Sequence, residues 1–277
     1  MTCCVAALAD MRTTIVLVAD RMLSTGTYGG ESDIRKSVRV HRDWWVMLSD
    51  DPACAVPIIE RVKDTIPRGA LTADRVQAII VEAIYDRWKE ETEALFLRSR
   101  GLDHTTLLEV GRDKLGDQLF REIDSALARY SVAIDFIVAG FDPSGLGHII
   151  GISGDNRDKM IPYDHSLTGY HGVGSGADGA VRMMNYKRVA PSMQARAVLY
   201  YSVEGKYFGE LAYGVGQDTD VYILRHNKKP IVLPPDWIEK YIINPICLRL
   251  APRELRERDM KRLNRLKRLK RLDRLES

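Results

Sequence analysis

The chain has 277 residues, of which 45% are hydrophobic, and a formal net charge of +3. This length and composition are sufficient for a substantial core, in one large domain or in one domain with appendages. No apolar run reaches the roughly 18 residues that a membrane-spanning helix needs, and Asp10 and Arg12 interrupt the N-terminal run, so we expect neither a transmembrane helix nor a signal peptide.

The first predicted elements are two hairpins. Short apolar runs rich in β-branched residues cover 2–9 and 14–19, and the polar residues Asp10-Met11-Arg12 separate them. A second pair of runs, 37–40 and 44–48, flanks His41-Arg42-Asp43. We therefore predict four strands at the start of the chain.

Helices are predicted next. Asp50-Asp51-Pro52 supplies a capping carboxylate and a first-turn proline, and Pro57 is expected to kink or restart that helix. From Leu71, apolar residues recur at helical spacing and indicate an amphipathic helix. Residues 86–130 are charged and helical in character, with three glycines, and are predicted to form a helical insertion.

The pattern then returns to strands and repeats. Runs at 133–139 and 148–152 predict a hairpin, helices are expected after Gly174-Ser175-Gly176 and near 191–192, and two last strands are expected at 220–224 and 231–233. The order is strands, helices, strands, helices, strands. This order is typical of two sheets packed face to face between two helical layers, so we predict an α+β fold.

The last 29 residues differ from the rest of the chain. Residues 249–277 hold 12 Lys and Arg against 5 Asp and Glu, which leaves a net charge of −4 on residues 1–248. Leucines recur there every third residue, which gives no stable helical stripe and argues against a coiled coil. We predict a domain over 1–248 and a basic tail over 249–277. The tail is either a frayed extension or a segment that docks on a partner or an anionic surface, without specific nucleic-acid recognition.

Cysteine and histidine usage suggests neither a disulfide scaffold nor a metal site. The cysteines are Cys3, Cys4, Cys54 and Cys247. They lack both the C-x-x-C spacing of a zinc site and the density of a secreted disulfide framework. His165 and His171 lack the i, i+4 spacing of a helical metal pair. We expect a cytoplasmic protein with no metal and no cofactor.

The start of the chain has the residue types that an N-terminal-nucleophile hydrolase needs. A threonine or cysteine at the beginning of a strand is followed by Asp20 and then by Lys36. A free α-amine has a reference pKa of about 8, so it can act as a base near neutral pH without a histidine. Position two is the leading candidate for the nucleophile.

Five segments carry a resemblance to a known family. They are the strand end Ile15-Val16-Leu17-Val18-Ala19-Asp20-Arg21, Lys36, the apolar strand ending at Leu48, the Ala139-Gly140-Phe141-Asp142 turn, and Gly174-Ser175-Gly176-Ala177 opening a helix. Their order and spacing, over about residues 2–233, resemble the proteasome-type N-terminal-nucleophile hydrolases, meaning proteasome β subunits and the HslV-type bacterial peptidase. The resemblance implies a four-layer αββα sandwich of two antiparallel sheets between helical layers.

The resemblance also implies a role for each candidate residue. Removal of Met1 would expose Thr2, whose hydroxyl would be the nucleophile and whose α-amine would be the general base. The positive charge of Lys36 would lower the pKa of that hydroxyl and amine, and Asp20 would hold the ammonium in place. Ser175 would hydrogen-bond the amine, although a serine there could also be a helix N-cap.

The resemblance also implies an oxyanion hole and an acid that supports Ser175, but the sequence departs from the family pattern at both. The backbone N–H of Asp50 would belong to the oxyanion hole, although an aspartate replaces the family's glycine there. The late aspartate that supports the family's serine is missing from the aligned segment, so Glu210 or Asp218 would have to replace it.

The identity of the nucleophile stays open between Thr2 and Cys4. Asp20 follows Cys4 by 16 residues and precedes Lys36 by 16, which is the equal spacing that the family shows. Cys4 would therefore fit if residues 1–3 were removed. We favour Thr2, because the surface turn after Asp10 can absorb two extra residues and because excision of Met1 is sufficient.

Three functions follow as hypotheses. The first is a threonine peptidase that forms a homo-oligomeric ring and cleaves unfolded polypeptides; since the chain has no P-loop motif, any unfolding ATPase would be a separate protein. The second is a catalytically inactive proteasome-like subunit with a structural or scaffolding role. The third is an N-terminal-nucleophile amidase that acts on a small amide.

Overall fold

A computed structural model of the chain describes residues 2–25, 28–31, 35–154, 161–212 and 215–246. The chain divides into two units, Met1–Leu233 and Pro234–Ser277. The predicted tail at 249–277 lies outside the described residues, and the predicted domain boundary at 248 stays a prediction. None of the described helices is long and apolar enough to cross a membrane.

The first unit contains all twelve described strands. They are β1 (Cys4–Ala9), β2 (Thr14–Asp20), β3 (Met22–Thr25), β4 (Tyr28–Glu31), β5 (Ser37–Arg39), β6 (Trp44–Asp50), β7 (Ile134–Phe141), β8 (Gly147–Ser153), β9 (Tyr163–Asp164), β10 (Tyr170–Val173), β11 (Thr219–Arg225) and β12 (Ile231–Val232).

The helices account for most of the remaining described residues. They are α1 (Pro52–Thr65), α2 (Ala73–Thr92), α3 (His104–Arg129), α4 (Ala177–Tyr186), α5 (Ala195–Gly209) and α6 (Pro235–Ile238). A π-helical turn (Glu93–Leu97) and a 3₁₀ turn (Arg98–Arg100) follow α2, and a second π-helical turn (Glu239–Ile243) follows α6.

The strands form two five-stranded sheets and a two-stranded ribbon. The first sheet has the order β10-β1-β2-β11-β12, the second has the order β5-β6-β7-β8-β9, and β3 pairs with β4. Neighbouring strands in both sheets are antiparallel. The structure therefore confirms the α+β class and the two antiparallel sheets.

The two sheets share a core. Alternate residues of β1 and β2, such as Leu8 and Leu17, belong to the same buried cluster as Met47 of β6 and Ile137 of β7. Because side chains alternate across a strand, the other face of each sheet must be covered separately. This arrangement is compatible with a sandwich.

Helices cover both outer faces. On the second sheet, Val46 and Phe136 belong to a buried cluster with Ile58 of α1 and Ile80 of α2. On the first sheet, α5 contacts β1 and β2, and α4 contacts β10. The helix α1 begins as predicted, since the Asp51 side chain accepts a hydrogen bond from Ala53 N and Pro52 occupies the first turn.

The predicted helical insertion has a small core of its own. Its buried cluster comprises Leu97, Leu102, Leu107, Ile123 and Leu127. The helix α2 continues to Thr92 and so includes the first residues of the predicted insertion, whose bounds stay a prediction. Gly116 has a φ of 77° and interrupts α3.

Three details differ from the sequence analysis. Pro57 lies inside α1, which does not restart there, because burial of one helix face keeps the helix continuous despite the hydrogen bond that a proline removes. The alternative, a kink at Pro57, stays a prediction. The ribbon β3–β4 has no counterpart among the predicted elements. Nor do the short strands β9 and β10, of which β10 pairs with β1 and forms an edge of the first sheet.

Candidate functional site

Lys36 lies between the two residues with which the sequence analysis associates it. Its Nζ atom donates hydrogen bonds to Thr2 Oγ1 at 2.7 Å and to Asp20 Oδ1 at 2.9 Å. The Lys36 side chain is only 3% exposed. Its backbone is fixed beside β6, because Leu48 N donates to the Lys36 carbonyl at 2.8 Å. The ammonium group is therefore directed at the Thr2 hydroxyl.

Asp20 is fully buried, and its carboxylate accepts four hydrogen bonds. Oδ1 accepts from Cys3 N at 2.8 Å as well as from Lys36, and Oδ2 accepts from Gly216 N at 3.1 Å and Met22 N at 3.2 Å. A buried carboxylate is costly unless its lone pairs are satisfied. These donors, three of them backbone amides, fix the carboxylate in one orientation and hold Lys36 in turn.

Thr2 is held by the turn between β10 and α4. Its nitrogen donates to Ser175 Oγ at 3.4 Å, and its carbonyl accepts from Gly176 N at 3.0 Å. Gly174 has a φ of 92°, and a Cβ atom there would overlap the Thr2 carbonyl oxygen. The close approach of this turn to Thr2 therefore requires a glycine at position 174.

Ser175 is not the N-cap of α4. The N-cap is Gly176, and no side chain caps this helix end. The two roles predicted for Ser175, which could be combined, are a helix cap and a contact with the Thr2 nitrogen. In the structure Ser175 makes the contact, since its hydroxyl accepts a hydrogen bond from the Thr2 nitrogen.

Cys4 has a different environment from Thr2. The thiol is completely buried and donates to the Leu48 carbonyl at 3.5 Å. Burial raises the pKa of the Cys4 thiol well above its ordinary value, although the positive charge of Lys36 opposes that shift. Burial likewise raises the pKa of Cys3 to about 12. With residues 1–3 in place the Cys4 thiol is therefore held in its neutral form, whereas the thiolate is the nucleophilic form of cysteine.

The two replacement acids lie near the end of α5. The carboxylate of Glu210 accepts from Lys206 Nζ at 2.6 Å, and the backbone carbonyl of Asp218 lies 3.3 Å from the same ammonium. Their proposed support of Ser175 stays a prediction. So does the oxyanion role of the Asp50 backbone. Asp50 is the last residue of β6, and its side chain lies outside the described part of the structure.

A groove of about 470 Å³ opens beside Ser175. It runs between α4 and the end of α5, and Met183, Phe208 and Leu211 provide apolar walls. Asp178 and Arg182, which form an ion pair at 2.9 Å, lie on the α4 side. A ligand in this groove would therefore lie next to the residue that contacts the Thr2 nitrogen.

Among the described residues, no group of three or more metal-ligating side chains comes together. His171 of β10 and His165, which follows β9, do come together: their rings stack at 3.8 Å with an interplanar angle of 7°. Burial lowers the pKa of His171 to about 4, and the neighbouring His165 adds to that shift. Burial lowers the pKa of His165 as well, so both rings favour the neutral form.

Several residues that build the site have no predicted role in it. Gly174 and Gly176 shape the turn against Thr2, and the Gly216 N–H completes the set of donors around Asp20. The Gly-Ser-Gly sequence is a visible signal for the first two. Gly216 carries no such signal, because its function depends on a contact with a residue 196 positions away.

In the comparison with known proteins, neither a protein-family model nor a curated protein matches the chain.

Proposed function

We propose that this protein is a threonine peptidase of the proteasome type, whose nucleophile is the hydroxyl of Thr2 after removal of Met1. The observation that carries the proposal is the position of Lys36 Nζ, 2.7 Å from Thr2 Oγ1 and 2.9 Å from Asp20 Oδ1. A buried ammonium held by a carboxylate and directed at a hydroxyl is a means of stabilising developing alkoxide character.

The proposed reaction uses groups already described. The Thr2 oxygen attacks the carbonyl carbon of a peptide bond while the free α-amine of Thr2 takes the hydroxyl proton, and Lys36 stabilises the negative charge that develops. The amine then gives this proton to the leaving nitrogen, and an acyl-enzyme ester remains. Water, deprotonated by the same amine, hydrolyses the ester and regenerates the threonine. Ser175 orients the amine, in keeping with its contact of 3.4 Å with the Thr2 nitrogen.

The fold proposed for this function is the four-layer αββα sandwich of the N-terminal-nucleophile hydrolases. The shared core between the two sheets supports it, as do α1 and α2 on the outside of one sheet and α4 and α5 on the outside of the other. Such a sandwich brings the start of β1, the end of β2 and the start of β5 to one end of the sheets, and these are the positions of Thr2, Asp20 and Lys36.

The first test is chemical labelling. A peptidyl epoxyketone reacts with both the hydroxyl and the amine of an N-terminal threonine, so we expect a covalent adduct that peptide mapping places on Thr2. Intact-mass measurement and N-terminal sequencing of the same sample should show Thr2 as the first residue. Thr2→Ala should abolish the adduct, whereas Thr2→Ser, which keeps a hydroxyl and an amine, should retain it.

Three results would contradict the proposal. Retention of Met1 with no adduct would favour the inactive subunit. An adduct on Cys4, lost in Cys4→Ala and kept in Thr2→Ala, would move the nucleophile. Failure of the epoxyketone together with turnover of a small amide by a chain that begins at Thr2 would favour the amidase.

A further inference from the structure

Lys206 is a buried lysine outside the proposed catalytic group. It lies in the last turn of α5 and its side chain is 1% exposed. Removing an ammonium from water is expensive, so a buried lysine must find several acceptors. Lys206 has four within 3.3 Å, and three of them are backbone carbonyls.

Those carbonyls belong to consecutive residues. Lys206 Nζ donates to the carbonyl oxygens of Gly216 at 2.7 Å and Gln217 at 2.9 Å, and the carbonyl of Asp218 lies at 3.3 Å. The fourth acceptor is the carboxylate of Glu210 at 2.6 Å. One side chain therefore fixes the backbone of residues 216–218, which directly precede β11.

The same segment contacts the proposed site. Gly216 accepts from Lys206 through its carbonyl and donates through its N–H to Asp20 Oδ2 at 3.1 Å. Asp20 Oδ1 in turn accepts from Lys36, which donates to Thr2 Oγ1. A continuous series of hydrogen bonds thus connects Lys206 to the Thr2 hydroxyl through the Gly216 backbone and the side chains of Asp20 and Lys36.

The charge of Lys206 also acts near Thr2. Burial raises the pKa of the adjacent Cys3 thiol, as do the negative charges of Asp20 and Glu210, whereas the positive charges of Lys206 and Lys36 oppose this rise. Lys206 is therefore close enough to influence the protonation of a group next to the proposed nucleophile.

We propose that Lys206 is a positioning residue for the Thr2 site: it holds the 216–218 backbone so that the Gly216 N–H fixes Asp20, and Asp20 fixes Lys36 on the Thr2 hydroxyl. This inference rests on the proposed peptidase function. Lys206 itself touches neither Thr2 nor the reacting bond in this arrangement, and it acts through Gly216 and Asp20.

The proposal predicts the effect of Lys206→Met, which keeps the length of the side chain and removes its charge and donors. We expect kcat to fall by about 10- to 100-fold, since small displacements of a positioned group have effects of that size. KM should change by less than about threefold, because the substrate-binding surface is left intact. The acid limb of the kcat/KM profile should move to higher pH by about half a unit or more, since loss of a nearby cation raises the pKa of the Thr2 amine.

Two further variants separate positioning from general destabilisation. Lys206→Arg keeps the charge and the donors, so it should retain much of the activity and the wild-type acid limb. Lys187→Met is the matched control: Lys187 follows α4 and pairs with the buried Glu204 at 3.5 Å, without a described contact to residues 216–218. It should lower stability without moving the acid limb. If Lys206→Met does not fold, Lys206→Gln, which keeps two N–H donors without the charge, takes its place.

A readout that does not need activity completes the experiment. The Gly216 amide should exchange slowly with deuterium in the wild type, faster in Lys206→Met, and at the wild-type rate in Lys187→Met. An unchanged Gly216 exchange rate, or a kcat within about twofold of wild type in Lys206→Met, would overturn the inference, since displacement of a positioned group costs more than that. If the wild type is not labelled at Thr2, the proposed function fails by itself, and the exchange rate of Gly216 still decides whether Lys206 positions this backbone.

Discussion

Burial of the Lys36 side chain, which is 3% exposed, requires acceptors inside the protein, and two are found among the described residues: the Thr2 hydroxyl and the Asp20 carboxylate. Three backbone amides donate hydrogen bonds to the Asp20 carboxylate, so the carboxylate cannot rotate to follow a displaced lysine. The rigidity of this pair is what gives a fixed charge beside one hydroxyl. The site depends on this burial, because an ion pair exposed to water would be screened and would not hold the charge in one position.

Removal of the Lys36 charge should therefore be strongly destabilising. Lys36→Met leaves the Asp20 carboxylate buried without its cation, and we expect the free energy of unfolding to fall by about 3–5 kcal/mol, as for other broken buried pairs. Urea unfolding measures this change. Lys63→Met is the control, because Lys63 is a partly exposed lysine on α1 paired with Glu60 at 2.8 Å, and it should change stability by less than about 0.5 kcal/mol. Equal effects of the two variants would refute the buried-pair argument.

At the scale of elements, the turn between β10 and α4 determines where Thr2 lies. The turn passes so close to Thr2 that Gly176 N hydrogen-bonds its carbonyl and Ser175 Oγ contacts its nitrogen. Such closeness is possible only because position 174 has a left-handed backbone and no side chain. The unpredicted strand β10 thus matters, because its pairing with β1 sets this turn in place.

Gly174→Ala should displace Thr2. The new Cβ would overlap the Thr2 carbonyl oxygen, and the φ of 92° adds strain, so we expect a loss of stability above about 1 kcal/mol and a loss of Thr2 labelling. Gly101→Ala is the matched control, since Gly101 also has a positive φ, 65°, but nothing lies within 4 Å of the position that a new methyl group would take. It should show the strain alone and full labelling. Normal labelling in Gly174→Ala would show that the turn does not position Thr2.

At the scale of the whole molecule, charge is distributed unevenly along the chain. Residues 249–277 carry 12 basic and 5 acidic side chains, whereas residues 1–248 have a net charge of −4. The homo-oligomeric ring, a separate ATPase and a polypeptide substrate remain proposals at this scale. The basic tail is the segment whose charge makes the clearest prediction.

Truncation after Leu250 should abolish binding to an anionic surface. The 11 cations that this truncation removes attract a polyanion or anionic vesicles without sequence specificity, and salt should weaken this binding because the charges are screened within about 10 Å at 0.1 M salt. Cosedimentation with vesicles containing phosphatidylserine, at increasing salt, measures the effect. Light scattering of both proteins should give the same oligomeric state. Unchanged, salt-insensitive sedimentation of the truncated protein would identify the tail as a simple extension.

Much of the fold could be predicted because its signals are local. The apolar runs of β1 and β2, Asp51-Pro52 before α1, and the apolar repeat of α2 depend on the chemistry of neighbouring residues. The strands β9 and β10 were missed because they are two and four residues long and are formed by pairing with distant strands. The prediction that Pro57 restarts the helix was wrong, because burial of one face of α1 keeps the helix continuous past this proline.

The α+β class and the hairpins could be predicted from the amino-acid sequence, because residue types and their periodicity are local properties, and the family resemblance supplied the roles of the candidates Thr2, Asp20, Lys36 and Ser175. The sequence left Thr2 and Cys4 as alternatives, since equal spacing along a chain does not say which side chain a lysine reaches. The contact of Lys36 with the Thr2 hydroxyl and the burial of the Cys4 thiol against Leu48 emerge only in the folded protein. Distance and desolvation are set by packing between segments far apart in sequence, and so are the contacts of Gly216 and Lys206.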